Sequence, residues 1–188
     1  MPNAPVYVIG DVHGQIETLT RLLQSAGLVG DDLAWTGGKA TLWFVGDYVD
    51  RGPDGIGVID LLMRLEAEAK SAGGGVQALL GNHDVMFLAA DRFRNQRPPG
   101  ADVSLLDIWE RNGGKYADLD RLSKRHIAWL RRLPVQARVQ GHLLQHADST
   151  FYAECGRGVA DVNRTVSRVL QGGDISAWAT LIVKFVRR

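Results

Sequence analysis

The sequence predicts an α/β protein, a layered sheet with helices packed on it, and three observations predict that class. Short continuous apolar runs recur at positions 6–9, 41–45 and 76–80, and each stops at a glycine, Gly10, Gly46 and Gly81. Between the runs, apolar residues fall three and four apart, the spacing of a helix laid on a sheet. Strands alternating in this way with helices imply right-handed crossovers.

Taken in order, Val6, Tyr7, Val8 and Ile9 read as a strand buried on both faces. From Gln15 onward Ile16, Leu19, Leu22 and Leu23 share one helical face until Gly27 breaks it. Residues 31–39 are turn-rich, and Thr41, Leu42, Trp43, Phe44 and Val45 form the second strand. Pro53 and Asp54 suit a helix start, and Ile56, Ile59, Leu61, Leu62 and Leu65 make a second amphipathic helix that ends near Gly73. The third strand covers 76–80. A short helix is expected over 84–93, a loop with proline and glycine over 94–102, and a helix over 121–133 that Leu133-Pro134 closes. Segments 135–139 and 142–146 read as a hairpin or as two successive strands, and the last stretch, 159–188, has helical spacing. There is no internal repeat and no low-complexity tract.

The chain's 188 residues fit one domain, 1–188, and 45% hydrophobic with 23% charged residues excludes disorder. Lys and Arg number 22 against 21 Asp and Glu, a formal charge of +1, so no overall field favours nucleic acid or an anionic membrane, and neither is expected as a partner. The single Cys155 can form neither an internal disulfide nor a thiolate cluster, which favours a reducing compartment. The opening residues, Met1 to Pro5, carry no basic stretch before an apolar core, and no apolar run reaches about 18 residues, so a cytoplasmic location is expected.

Polar, titratable residues follow each strand-ending glycine, where open α/β sheets bind ligands. Gly10-Asp11-Val12-His13-Gly14 puts a carboxylate and an imidazole two residues apart, and extended residues so spaced face one way. Gly46-Asp47-Tyr48-Val49-Asp50-Arg51-Gly52 adds two acids and an arginine, and Gly81-Asn82-His83-Asp84 adds an amide oxygen and a second imidazole. Oxygen and nitrogen donors without thiolate suit Mn, Fe or Zn in a hydrolytic centre better than calcium or a structural zinc. The glycines allow sharp turns and leave room for an anionic ligand. Alone, the first motif reads equally as a strand-to-helix turn with Asp11 capping the helix. The recurrence at Asp11, Asp47 and Asn82, roughly one βα unit apart each time, makes coincidence a poor account.

These three motifs resemble those of the calcineurin-like metallophosphoesterases, and the Gly46–Gly52 motif is most similar to that of the serine/threonine protein phosphatase branch of bacterial type. The likeness is densest over 6–93 and continues to His146-Ala147-Asp148. The resemblance implies a metallophosphoesterase-like layered α/β sandwich and two divalent metal ions (Mn, Fe or Zn). It implies that Asp11 and His13 bind the first ion, that Asp47 bridges, and that Asn82 and His146 bind the second. It implies that His83, oriented by Asp50, acts at the leaving group and that Arg51 grips the phosphate. The chemistry is consistent: two ions sharing a carboxylate and a water generate hydroxide near neutral pH, an imidazolium held by a carboxylate is a good general acid, and a guanidinium fork binds two phosphate oxygens. The expected substrates are phosphorylated proteins or small phosphomonoesters.

The sequence also departs from the family. No histidine follows His146 through Arg188, so the family's later Gly-His element has no counterpart, and the chain reads as C-terminally truncated with an incomplete second sheet. Two alternatives stand beside the phosphatase reading: a dinucleoside polyphosphate hydrolase, and a catalytically impaired remnant or binding module. His142 could share a strand face with His146, although a structural or surface role is the simpler reading, and His126, beside Lys124 and Arg125, reads as solvated. Arg92, Arg94 and Arg97 could form a basic lid but read as surface residues, and Arg121, Lys124, Arg125, Arg131 and Arg132 as a solvated helix face. Trp109, Trp129 and Trp178 read as core or interface, and Cys155 as no nucleophile.

Overall fold

In a computed structural model, which describes residues 4–186, the three apolar runs become β1 (Val6–Ile9), β2 (Thr41–Phe44) and β3 (Gly75–Ala78). They form a parallel sheet in that order, with Val6 opposite Thr41 and Thr41 opposite Gly75. The crossovers are α1 (Ile16–Ser25) and α2 (Gly55–Ser71). Parallel strands joined by helices bring all three carboxyl ends to one edge.

Two expectations about burial need correction. Tyr7 and Val8 are 37% and 51% exposed, because β1 lies at the edge of the described sheet with one neighbour. A continuous apolar run does not tell an edge strand from a central one. Leu22 is likewise exposed on α1, whose buried face is carried by Leu19 and Leu23.

The start of α2 is held twice. Asp54 caps it by accepting from the Gly57 N–H at 2.7 Å, and the buried Asp118 carboxylate accepts from Gly55 and Ile56 at 3.1 and 3.2 Å. These bonds satisfy donors that a helix N-terminus leaves unpaired. Asp118 comes from α5 (Tyr116–Arg121), which with α4 (Leu105–Arg111) fills a stretch where periodicity predicts no helix. Both are short, and α4 is started by a reciprocal Ser104–Asp107 capping box rather than by long periodicity.

The helix expected over 121–133 is divided: Arg121 ends α5, and α6 covers Lys124–Arg132. Its basic face is exposed, as the sequence predicts, and three of its arginines pair with acids at the surface. Arg121 pairs with Asp54 and Arg132 with Glu66, each at 2.7 Å, and Arg125 pairs with Asp60. His126 is buried: Nδ1 accepts from the Ser123 N–H at 3.1 Å and Nε2 lies 3.0 Å from Asp60. It closes the start of α6 onto α2 instead of facing water.

Then β4 (Gln136–Val139) and β5 (His142–Gln145) form an antiparallel hairpin, the second and smaller sheet. Gln140 and Gly141, both at positive φ, make its two-residue turn. Three helices follow, α7 (Phe151–Cys155), α8 (Val159–Gln171) and α9 (Ile175–Val186), and α9 packs on α3 (Asn82–Phe93) through Trp178 and Phe93, ring centres 5.7 Å apart. Met1 to Asn3, and the Arg187 and Arg188 that end the stretch of helical spacing, lie outside the described residues. Leu42 and Phe44 of β2, Ile59 and Leu62 of α2, Phe87 of α3 and Leu170 of α8 belong to one core that reaches from Val12 to Phe185.

One side chain joins two strand ends. Asp84, fully buried on α3, accepts backbone N–H bonds from Asp47 at 2.8 Å, Tyr48 at 2.9 Å and Gly81 at 2.9 Å. An amide in its place has one acceptor oxygen for three donors. Asp84→Asn is therefore expected to lose about 1–3 kcal/mol, the usual effect of leaving a buried donor unpaired, read as a lower midpoint in urea unfolding.

Candidate metal centre

The turns after β1 and β2, the first residues of α3 and the segment after β5 supply the site, and the first two turns are strained. Among the described residues, the non-glycine positions at positive φ include His13 (45°), Asp47 (56°), Asp50 (71°) and Arg51 (65°). Left-handed conformations of this kind are uncommon outside glycine and concentrate at functional sites. They turn the chain sharply after β1 and β2, so that adjacent side chains face one cleft. His13 N and Gly14 N donate to Asp47 O and Tyr48 O, both at 2.8 Å, fastening the first loop to the second. Gly81 must be glycine for space: a Cβ there would overlap the Asp47 carboxylate. Asp47 Oδ1 in turn accepts from the His83 N–H at 2.9 Å.

The cleft has a volume of about 450 Å³ and is lined by Asp11, His13, Asp47, Arg51, Asn82, His83 and His146, with Asn112, Asp148, Ser149, Phe185 and Val186 at its borders. Seven of the eight residues singled out from sequence thus line one cavity, and the eighth, Asp50, lies just behind it, fully buried against His83. Asp11 does not cap α1, whose flanking residue Gln15 makes no side-chain capping bond. That removes the structural explanation for Asp11.

The histidines are set up as donors. His13 Nδ1 donates to Val49 O and His146 Nδ1 to Val45 O, both at 3.0 Å, which turns each Nε2 into the cleft. Metal-binding histidines are commonly oriented in this way. His13 Nε2 is buried with no hydrogen-bond partner, lying 3.9 Å from Asp11 and 3.6 Å from Asp47 carboxylate oxygens. A buried nitrogen without a protein partner, between two carboxylates, fits a bound cation or its water. His146 Nε2 lies 3.0 Å from Asn82 Oδ1 and 3.4 Å from Asp47 Oδ2. Two donor groupings result, with Asp47 common to both: His13, Asp47 and His83, and Asp11, Asp47 and His146. In the first, His83 Nε2 is 2.9 Å from the Arg51 guanidinium, a poor neighbour for a metal ion.

Electrostatics agree. Burial alone would lower the His146 pKa, but its bond to Asp47 and the charges of Asp47, Asp11 and Asp84 raise it to about 9. The Asp84 carboxyl is pushed up to about 7, first by burial and then by the charge of Asp47. Burial works to raise the Asp47 carboxyl, yet the His146 bond and nearby imidazoles hold it below its ordinary value. Excess negative charge here is relieved by a proton on His146, and a divalent cation would relieve it more completely.

Behind the cleft, His83 and Asp50 form a buried pair, Nδ1 to Oδ2 at 2.8 Å. Arg51 can only donate, so His83 Nε2 accepts from it and Nδ1 carries the proton given to Asp50. Burial raises the Asp50 carboxyl, against bonds from His83 and from Trp109, whose indole N–H donates to Asp50 Oδ1 at 2.7 Å. Trp109 therefore touches the site as well as the core, and nothing in its local sequence pattern marks that contact. His142 is exposed on the hairpin and does not line the cleft, and Cys155 is a free thiol whose pKa burial raises. Arg92, Arg94 and Arg97 do not line it either, and Arg94 pairs with Asp91.

The calcineurin-like phosphoesterase family model matches residues 4–178. The chain is 37% identical over 101 residues to Shewanella-like protein phosphatase 2 of Arabidopsis thaliana, covering 54% of this chain and 25% of that protein. It is 38% identical over 131 residues to the symmetrical bis(5'-nucleosyl)-tetraphosphatase of Escherichia coli, covering 69% and 37% respectively. It thus spans well under half the length of these relatives. Among solved structures, a cold-active protein-tyrosine phosphatase from a psychrophilic Shewanella species shares the fold, with TM-score 0.66 at 22% identity over 90% of this chain and 51% of that one.

With a proton on His146 up to about pH 9, a cation binding there must displace it. Manganese affinity, measured by calorimetry, is therefore expected to rise by about tenfold per unit from pH 7 toward 9 and then level off. Saturating manganese should also raise the thermal midpoint, and chelation should reverse the rise.

Proposed function

The chain belongs to the calcineurin-like phosphoesterase family, and from that membership we propose that it is a metal-dependent hydrolase of phosphomonoesters, acting in the manner of a serine/threonine protein phosphatase. The observation that carries the reading is one cleft holding the Asp11, His13, Asp47, Asn82 and His146 donors beside His83 and Arg51. In this reading Asp11 and His13 hold the first divalent ion, Asp47 is shared, and Asn82 and His146 hold the second. Bound there, the ions supply a water-derived nucleophile and neutralise charge on the phosphoryl group.

The protein's own groups then have separate tasks. Arg51 directs one N–H at His83 Nε2. An arriving phosphate dianion offers the guanidinium stronger, charge-assisted bonds, which draws Arg51 onto two phosphate oxygens and frees His83 Nε2. Asp50 holds the ring by Nδ1 and stabilises its protonated form. His83 Nε2, freed of Arg51, takes up a proton from solvent, and the resulting imidazolium gives that proton to the leaving oxygen as its bond to phosphorus breaks. Mixed oxygen and nitrogen donors favour manganese, iron or zinc. As proposed, the protein works as one domain in the cytoplasm, the compartment that its single cysteine favours.

A second reading, hydrolysis of dinucleoside polyphosphates, is supported by the 38% identity with the Escherichia coli tetraphosphatase over 69% of this chain. A third, an impaired binding module, is supported by the small protein donor set for the second ion, which has Phe185 edge-on to His146 at 6.2 Å.

Purified protein with added manganese is expected to turn over p-nitrophenyl phosphate, and a phosphoserine peptide faster than a bis-nucleosyl tetraphosphate. The reverse order favours the second reading, and at most one bound ion without turnover the third. His83→Ala is expected to lower kcat by about 10²–10⁴-fold with manganese content unchanged. Parallel losses of turnover and metal would overturn its role as proton donor.

A further inference from the structure

Trp109 is fully buried on α4, yet its one polar atom serves the site: the indole N–H donates to Asp50 Oδ1 at 2.7 Å, while Asp50 Oδ2 takes His83 Nδ1 at 2.8 Å. A carboxylate with both oxygens engaged cannot rotate, and the ring it holds cannot tilt. The indole is itself fixed from several sides. Tyr116 meets it edge-on at 5.6 Å, Phe87 lies tilted against it at 5.9 Å, and a Cβ on Gly114 would overlap the rings, so the glycine is required for the indole to sit there. The same turn reaches the other catalytic group, because Gly113 O accepts the Arg51 N–H at 2.8 Å and supports Arg51 at its strained φ of 65°.

We propose that Trp109 is a positioning residue for phosphoester cleavage, and that it acts through Asp50 to hold the His83 imidazole where its Nε2 meets the leaving-group oxygen. The inference rests on the phosphomonoesterase reading above. It makes α4 a rear brace of the site, set by the Ser104–Asp107 box at its start and the glycine turn at its end. The proton travels from His83 Nε2 to the departing oxygen as the P–O bond breaks, and Trp109 itself gives up nothing.

The test is Trp109→Phe, which keeps an aromatic ring and removes the N–H. Turnover is measured on phenyl, p-nitrophenyl and 2,4-dinitrophenyl phosphate, whose leaving groups need a proton progressively less. We expect kcat to fall about tenfold on phenyl phosphate and less than twofold on the dinitrophenyl ester, with KM and manganese content unchanged. Combined with Asp50→Asn, the second substitution should add little, because both act on one ring. An equal loss on all three esters, or none, overturns the proposal, since general loosening of the fold does not discriminate among leaving groups. If the unsubstituted protein hydrolyses none of the esters with manganese bound, the phosphomonoesterase reading itself falls and this inference with it. A measurement on the unsubstituted protein covers the case in which Trp109→Phe folds poorly. Its Trp109 indole N–H proton resonance should lie downfield and move upfield in Asp50→Asn, and a resonance indifferent to that change contradicts the bond.

Discussion

The Asp84 carboxylate accepts the N–H groups of Gly81, Asp47 and Tyr48, and so fastens the loop after β2 to the loop after β3. The former carries Asp47, Asp50 and Arg51, and the latter leads into Asn82 and His83 at the start of α3. The sheet alone does not bring them to bonding distance, because strands about 4.7–4.9 Å apart leave their loops free to splay. The three bonds to one buried acid fix the spacing. The first loop is tied in by His13 N and Gly14 N, which donate to Asp47 O and Tyr48 O. The site is thus held by the Asp84 carboxylate together with backbone bonds between the first two loops.

This rigidity has a cost that the site explains. Four of its residues, His13, Asp47, Asp50 and Arg51, take left-handed conformations, each worth about 1–3 kcal/mol of strain. Burying Asp84 beside Asp47 adds repulsion, visible in a carboxyl raised to about 7. Without a cation, a proton on His146 meets part of the charge. Strain and like charge kept together against their own tendency are what a preorganised cation site requires.

Much of this is legible in the sequence, for particular reasons. Each strand-ending glycine with its polar neighbours marks a loop, and the parallel order of the strands sends all three loops to one edge. Asp11, His13, Asp47, Arg51, Asn82 and His83 accordingly line one cleft, and His146 joins them from the segment after β5. Trp109 reads as core and is core, but the target of its N–H depends on a contact 59 residues away, which no local pattern encodes. His126 is misleading because its charged sequence neighbours suggest solvent, whereas Asp60 of α2 covers it. The short α4, α5 and α7 have too few turns for periodicity to register; caps and tertiary contacts define them instead. Edge exposure of β1 is hidden because an apolar run says nothing of how many neighbours a strand has.

As proposed, Asp47 is shared between two cation sites, one beside Asp11 and His13 and the other beside Asn82 and His146. Anomalous diffraction at the manganese edge, from crystals grown with manganese, tests that claim most directly. Two peaks are predicted, one on each side of the Asp47 carboxylate, the first adjoining His13 Nε2 and the second His146 Nε2. A featureless cleft, with His13 Nε2 hydrogen-bonded to water or protein instead, would contradict it.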